Sequence, residues 1–301
     1  MKNPWFTVFL TGSALVLMLL FPGITLKGAG SGLLLWYQRF LPAVFPFMIL
    51  SGLLTGYLKK GGAVFAVTAG FLNGYPIGAK TAADLKKKGL LPENTACYYA
   101  VFCNMSSPMF MAAYAGLKKE MPVIYLTSAA LLTIFCQLGC RSGSGKNSIR
   151  KRKRHSTCGL KMDMDSSLSA APAGSPPHNE PGTGDYLLEC TGIMVKAGIY
   201  IMYFSILAEF LSGLSFEGPV LKLLVPFLEL TTGISRIQAA DFPFPWLTRY
   251  LKIFLCVSGG LCTAFQSREV TYDLNLSLPR YLLLKLIQAS AVCAVCFLVQ
   301  P

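Results

Sequence analysis

Groups of polar residues stand inside apolar stretches of this chain, and their types suit hydrogen bonding to a small solute better than bond-breaking chemistry. Asn73, Gly74, Tyr75 and Gly78 surround Pro76 in "FLNGYPIGAK", which ends on Lys80. Asn104, Ser106 and Ser107 precede Pro108 in "FCNMSSPMF". Glu229 is followed by Thr231 and Thr232 in "LLVPFLELTTGI", and Ser258, Gly259, Gly260 and Gln266 lie in "FLCVSGGLCTAFQSREV". Proline lacks an N–H and glycine tolerates tight turns, so the groups at 73–78, 104–108 and 258–260 read as interrupted helices, whereas Glu229 reads as a carboxylate within one apolar run that also holds Pro226. The N–H groups that open the half-helix after a break carry partial positive charge and favour an anion. Asn104 and the two serines can replace lost backbone hydrogen bonds or meet a ligand directly.

The charged residues of these stretches leave several roles open. A carboxylate among apolar residues is costly unless it is paired, hydrated or protonated, so Glu229 is expected to face a cavity, where it would gate or couple protons. Glu209, in "YFSILAEFLSGL", either has such a role or reaches the membrane interface. Lys80 could pair with Glu229, bind an anionic substrate, or snorkel to headgroups beside Lys86. Catalysis has no foothold. The two histidines, His155 and His178, lie in the interval 141–185, read below as a loop, and Cys293 with Cys296 and Cys136 with Cys140 sit in apolar helices with no histidine near. We read these cysteines as small buried residues, and expect neither an enzyme, a metal nor a cofactor.

The elements that position these residues follow from composition. The chain has 301 residues, 53% hydrophobic and 14% charged, whereas soluble domains are about a quarter charged. Phe6–Phe21, Leu33–Leu58, Met121–Leu138, Leu187–Leu214, Leu221–Ile237 and Tyr281–Val299 are long and nearly uncharged, of the length that spans a bilayer. The fold class is therefore all-α, a polytopic helical membrane protein. Lys2 and the small residues Gly28, Ala29 and Gly30 would also suit a signal peptide around the first run, but its apolar core is long for one, and we read it as a retained helix.

Charge sets the organisation. The net charge is +13, and Arg141, Lys146, the run Arg150–Arg154 and Lys161 crowd one interval that continues into "SSLSAAPAGSPPHNEPGTGD". We read 141–185 as a disordered basic loop, cytoplasmic by the positive-inside rule, that meets anionic lipid in preference to nucleic acid. Walking back from it, Lys118 and Lys119 fall outside and Lys86, Lys87 and Lys88 inside. Lys59 and Lys60 share that inner side if the segment between enters and leaves on one face, as a re-entrant hairpin; a kinked helix packed through Gly70 and Gly74 is the simpler option. The expected domains are an N-terminal helix and loop (1–32), a first repeat (33–140, hairpin about 62–85, broken helix 95–116), the loop, and a second repeat (186–301, hairpin about 250–270). Each repeat would carry a re-entrant hairpin and a broken transmembrane helix. An even number of spans between the hairpins conflicts with an inverted repeat, so either the repeat is parallel or one span differs, as when the start of 187–214, with Glu189 and Lys196, is interfacial.

"GYPIGAKTAADLKKKGLL", "CNMSSPMFM", "LELTTGI" and "SGGLCTAFQSREVTYDLNLSLPRYLLLKLIQA" resemble, in this order, the sporulation integral membrane protein family of the YlbJ/SpoVV type. That family belongs to a wider group with a nucleoside-recognition or Gate domain, related to concentrative nucleoside transporters. The resemblance implies two repeats meeting near the bilayer midplane, a membrane around the developing spore, and passage of dipicolinic acid. "CTAFQ" departs from it with few polar side chains. The leading expectation is a transporter or facilitator for a small anionic metabolite, with a small-molecule substrate and room for a coupling ion, H+ or Na+. A non-transporting scaffold in spore-envelope assembly and a nucleoside transporter are the alternatives, and no oligomeric state follows.

Overall fold

The computed structural model describes residues 4–57, 62–143, 183–213, 224–240, 242 and 244–299. Lys59, Lys60 and nearly all of the expected basic loop lie outside them. Every regular element among the described residues is helical. Four stretches are long and apolar enough to cross a bilayer: Pro22–Leu50, Met121–Gly139, Gly184–Gly213 and Leu278–Val299. Their apolar residues continue onto the outer surface, where Leu188 and Leu298 stay 72% and 78% exposed. Water would disfavour such a surface and lipid does not. The protein is a polytopic helical membrane protein.

After α1 (Pro4–Leu20), α2 (Pro22–Leu35) runs through a π-helical turn, Trp36–Phe40, into α3 (Leu41–Tyr57). The run expected from Leu33 thus continues a helix that begins at Pro22. α2 lies along α8 (Thr183–Gly213). Gly28 and Gly32 sit one turn apart on the shared face; a Cβ on Gly28 would stand 2.6 Å from the Ile206 Cα. Small residues at this spacing let two membrane helices bring their backbones together.

The interruptions occur near the expected residues. α4 (Gly62–Asn73) and α5 (Ile77–Lys87) pack against each other around the turn Gly74–Pro76. α6 (Glu93–Phe102) unwinds through Asn104–Ser107 and resumes near a π-helical turn, Phe110–Ala115, before α7 (Met121–Gly143). A short turn, Val225–Phe227, leads to Glu229 in extended conformation and then to α9 (Leu230–Ala239). The run at 221–237 is therefore not one helix, and α9 alone, with 10 residues, is about 15 Å long, half a hydrocarbon core. α10 (Pro245–Ser258) and α11 (Gly260–Val270) part at Gly259 and Gly260, both with positive φ. They go to different neighbours: α10 packs chiefly along α12 (Leu278–Val299), and α11 against α8, α5 and α12.

Polar ties gather in two zones. In one, Lys80 pairs with Asp84 at 2.7 Å and Glu189 at 3.2 Å, Lys196 with Glu269 at 3.2 Å, and Lys87 with Asp273 at 2.9 Å. The hydrogen bond to Asp273 holds the Lys87 ammonium above its ordinary pKa. In the other, Glu209 joins Lys27 at 3.1 Å and Arg236 at 3.3 Å, and Arg249 meets Glu120 at 2.9 Å. Glu189 and Glu209 belong to the same straight run of α8, which separates them by about 30 Å at 1.5 Å per residue. That matches the thickness of a bilayer's hydrocarbon core. Glu209, expected either to act within the membrane or to reach its interface, is an ion-pair node between α2, α8 and α9.

Candidate functional site

The first interruption is built by close backbone approach. Gly74 has φ 76°, a left-handed conformation open to glycine, and a Cβ there would meet the Ser107 nitrogen at 2.7 Å. Cβ atoms on Gly70 and Gly78 would strike Cys103 at 2.7 and 2.9 Å. The unwound end of α6 therefore nests against glycines of α4 and α5. Tyr75 crosses from this turn to the second interruption, where its hydroxyl donates to the Val257 carbonyl at 2.5 Å. A Cβ on Gly259 would stand 2.6 Å from the Tyr75 ring. The two breaks, far apart in sequence, touch.

Beside this junction lies a cavity of about 70 Å³. Asn73, Gly74 and Tyr75 line it from the first break, Ser106 and Ser107 from the unwound end of α6, Glu229 and Thr231 from the start of α9, and Gln266 from α11. Two buried polar atoms of these lining residues have no hydrogen-bond partner: Ser106 Oγ, near the Cys256 thiol, and Gln266 Oε1. Orphaned buried polar atoms are costly and uncommon, and they mark places where a solute or water completes the structure. Ser107 is spoken for, since its Oγ accepts from the Phe110 N–H at 3.3 Å.

Glu229 faces the cavity with its carboxylate already engaged. Oε1 accepts from the Thr231 N–H at 2.9 Å; Oε2 accepts from the Thr232 N–H at 2.7 Å and its hydroxyl at 2.9 Å. It is the N-cap of α9, which also favours negative charge at that end. Thr232 serves this cap and does not line the cavity.

The remaining expected site residues hold the frame. Asn104 is fully buried: Oδ1 accepts from the Ala79 N–H at 3.3 Å, and Nδ2 donates to Ser267 Oγ at 2.7 Å and the Tyr281 hydroxyl at 3.1 Å. It ties α5, α11 and α12 to the end of α6. Lys80 lies outside the cavity, held by Asp84 and Glu189 and over the Tyr186 ring at 5.2 Å. Gly78 and Gly260 serve backbone approach, the latter toward the Phe227 carbonyl, and Gly259 makes the turn. Ser258 Oγ is buried without a partner but does not line the cavity.

Two groups escaped sequence reasoning. Arg39, in the π-helical turn of the first long helix, lines the cavity and lies 5.9 Å from the Tyr114 ring centre. Among the described residues no carboxylate lies within ion-pair distance of it. Tyr114 belongs to the other π-helical turn and donates to the Thr231 carbonyl at 2.9 Å, linking Arg39 to α9. π-helical turns in membrane helices often mark functional positions. The signal was the single charged residue of the run Leu33–Leu58. Lys285 and Gln288, three residues apart in α12, are the other pair; a polar face inside a membrane-length helix could have exposed them.

Comparison with known proteins gives a partial match. The chain is 27% identical over 124 residues to the sporulation integral membrane protein YlbJ of Bacillus subtilis (strain 168). The match covers 35% of this chain and 29% of that protein. No family model and no solved structure matches.

Proposed function

We propose that the protein is a membrane transporter or facilitator for a small anionic metabolite, with its solute path through the cavity where the interrupted helices meet. The observation that carries this is the convergence on one cavity of Arg39, without a carboxylate partner, and two orphaned polar atoms, Ser106 Oγ and Gln266 Oε1. A guanidinium pairs with carboxylate in a two-pronged geometry. A serine hydroxyl and an amide oxygen add a donor and an acceptor for the rest of the solute.

Ligand pockets typically measure several hundred Å³, and about 70 Å³ holds little more than two waters at about 30 Å³ each. On this reading the cavity is contracted, and entry of a solute requires the helix bearing Arg39 to move away from α9 and the π-helical turn at Tyr114. Closed and open states of one central site are what alternating access needs. Glu229 is given a positioning role, holding the start of α9 at the cavity wall. The resemblance of its motifs to the sporulation family implies dipicolinic acid, an aromatic dicarboxylate, which is the anion to try first. The positive charge of Arg39 favours it over neutral nucleosides.

The test is uptake of labelled dipicolinate by proteoliposomes containing the purified protein, with Arg39→Gln alongside and unlabelled nucleosides as competitors. Uptake well above protein-free liposomes, reduced at least tenfold by Arg39→Gln and unaffected by nucleosides, is expected. Uptake no greater than in protein-free liposomes would overturn the transport reading for this solute, and competition by nucleosides would move the substrate class.

A further inference from the structure

Lys285 has no part in the proposed site, yet it is 1% exposed, on a largely apolar helix of membrane-spanning length. Its ammonium donates to the Asn104 carbonyl, to the Val257 carbonyl at 3.1 Å and to Gln288 Oε1 at 3.0 Å. A lysine ammonium has three N–H donors and no acceptor. Three oxygens therefore match the protonated amine, whereas a neutral amine would turn its lone pair toward one of them. Among the described residues no carboxylate lies within ion-pair distance of it.

Backbone carbonyls supply the counter-charge. α6 ends at Phe102 and α10 at Ser258, so Asn104 and Val257 stand where carbonyls are released from the helical ladder and carry partial negative charge. Gln288 is oriented for the task, because its Nε2 donates to the Phe102 carbonyl at 2.9 Å and to Ser128 Oγ at 3.0 Å, leaving Oε1 toward Lys285. The face of Tyr75, 5.2 Å away, adds a cation–π contact.

Carbonyl oxygens at the ends of interrupted helices are a recurrent way to hold a dehydrated alkali cation inside a membrane protein. We propose that Asn104 O, Val257 O and Gln288 Oε1 form a monovalent-cation cage, which the Lys285 ammonium fills as a built-in cation. The joint between the two interruptions is then locked without Na+ or K+, and truncating the lysine converts it into an alkali-ion site.

The test measures thermal unfolding of the purified full chain in detergent, as wild type, Lys285→Ala and Lys285→Met, in choline chloride, NaCl and KCl at equal ionic strength. Wild type should melt at the same temperature in all three salts. Lys285→Ala should melt lower in choline chloride and recover with Na+ or K+ along a saturating curve, as for any ligand that binds the folded state alone. Lys285→Met, whose methyl group takes the place of the lysine Cε and stands too close to the ammonium position for an ion to sit there, should be destabilised and gain nothing from either ion. The proposal fails if Lys285→Ala responds to alkali ions no more than wild type, if the methionine variant responds equally, or if the alanine variant is unfolded in every salt.

Discussion

Replacing Glu229 by glutamine separates a helix cap from a proton gate. The native carboxylate accepts three hydrogen bonds, at 2.9, 2.7 and 2.9 Å, from Thr231 and Thr232. Glutamine retains one acceptor oxygen and turns an NH2 group toward donors. Loss of a good N-cap costs about 1 kcal/mol, and loss of the negative charge at the helix start about 1 kcal/mol more in a partly buried site. The sum, about 2 kcal/mol, lowers the melting temperature of a protein this size by several degrees. Aspartate, also a favoured cap, should recover part of that. Thermal unfolding in detergent gives the stability, and dipicolinate uptake per folded molecule gives the function. A positioning role predicts reduced stability in Glu229→Gln with uptake falling in proportion to the folded fraction and its pH profile unchanged. Unaltered melting together with abolished uptake, or a flattened pH profile, would refute the cap as its main role.

Two further substitutions probe the frame. Gly74→Ala introduces a Cβ 2.7 Å from the Ser107 nitrogen at a residue with φ 76°; the conformation alone costs about 1–2 kcal/mol, so the variant should melt lower and yield less folded protein, and equal stability would contradict the close approach. Lys80→Met removes a buried cation but touches no cavity residue, and should lower stability while leaving the KM for dipicolinate uptake unchanged; a several-fold rise in KM would return Lys80 to the solute path.

The breaks were legible because they depend on local chemistry. Pro76, Gly74, the pair Gly259–Gly260 and the Asn104–Pro108 cluster each declare a helix end within a few residues, and the structure interrupts helices there. The break at Glu229 was harder to see, since hydropathy counts residue types and not helix continuity, and Leu221–Ile237 reads as one apolar run. Tertiary pairing was the least visible. Nothing local directs Lys80 toward Glu189 rather than Glu229, or Lys285 toward carbonyls on two other helices, because those partners are set by which breaks nest together. Lys285 and Arg39 were averaged away inside long apolar stretches, although a lone cation at membrane depth carries information in itself.

The claim that the interrupted helices enclose the solute path is tested most directly by thiol labelling at the cavity. Ser106→Cys and Gln266→Cys in proteoliposomes would be exposed to a small anionic thiol reagent, with wild type as background because most of the described native cysteines are buried. Both new thiols should be modified faster than that background, and dipicolinate should slow the modification in a concentration-dependent way. Thiols that stay unmodified, or that react at the same rate with dipicolinate present, would contradict a solute path through this cavity.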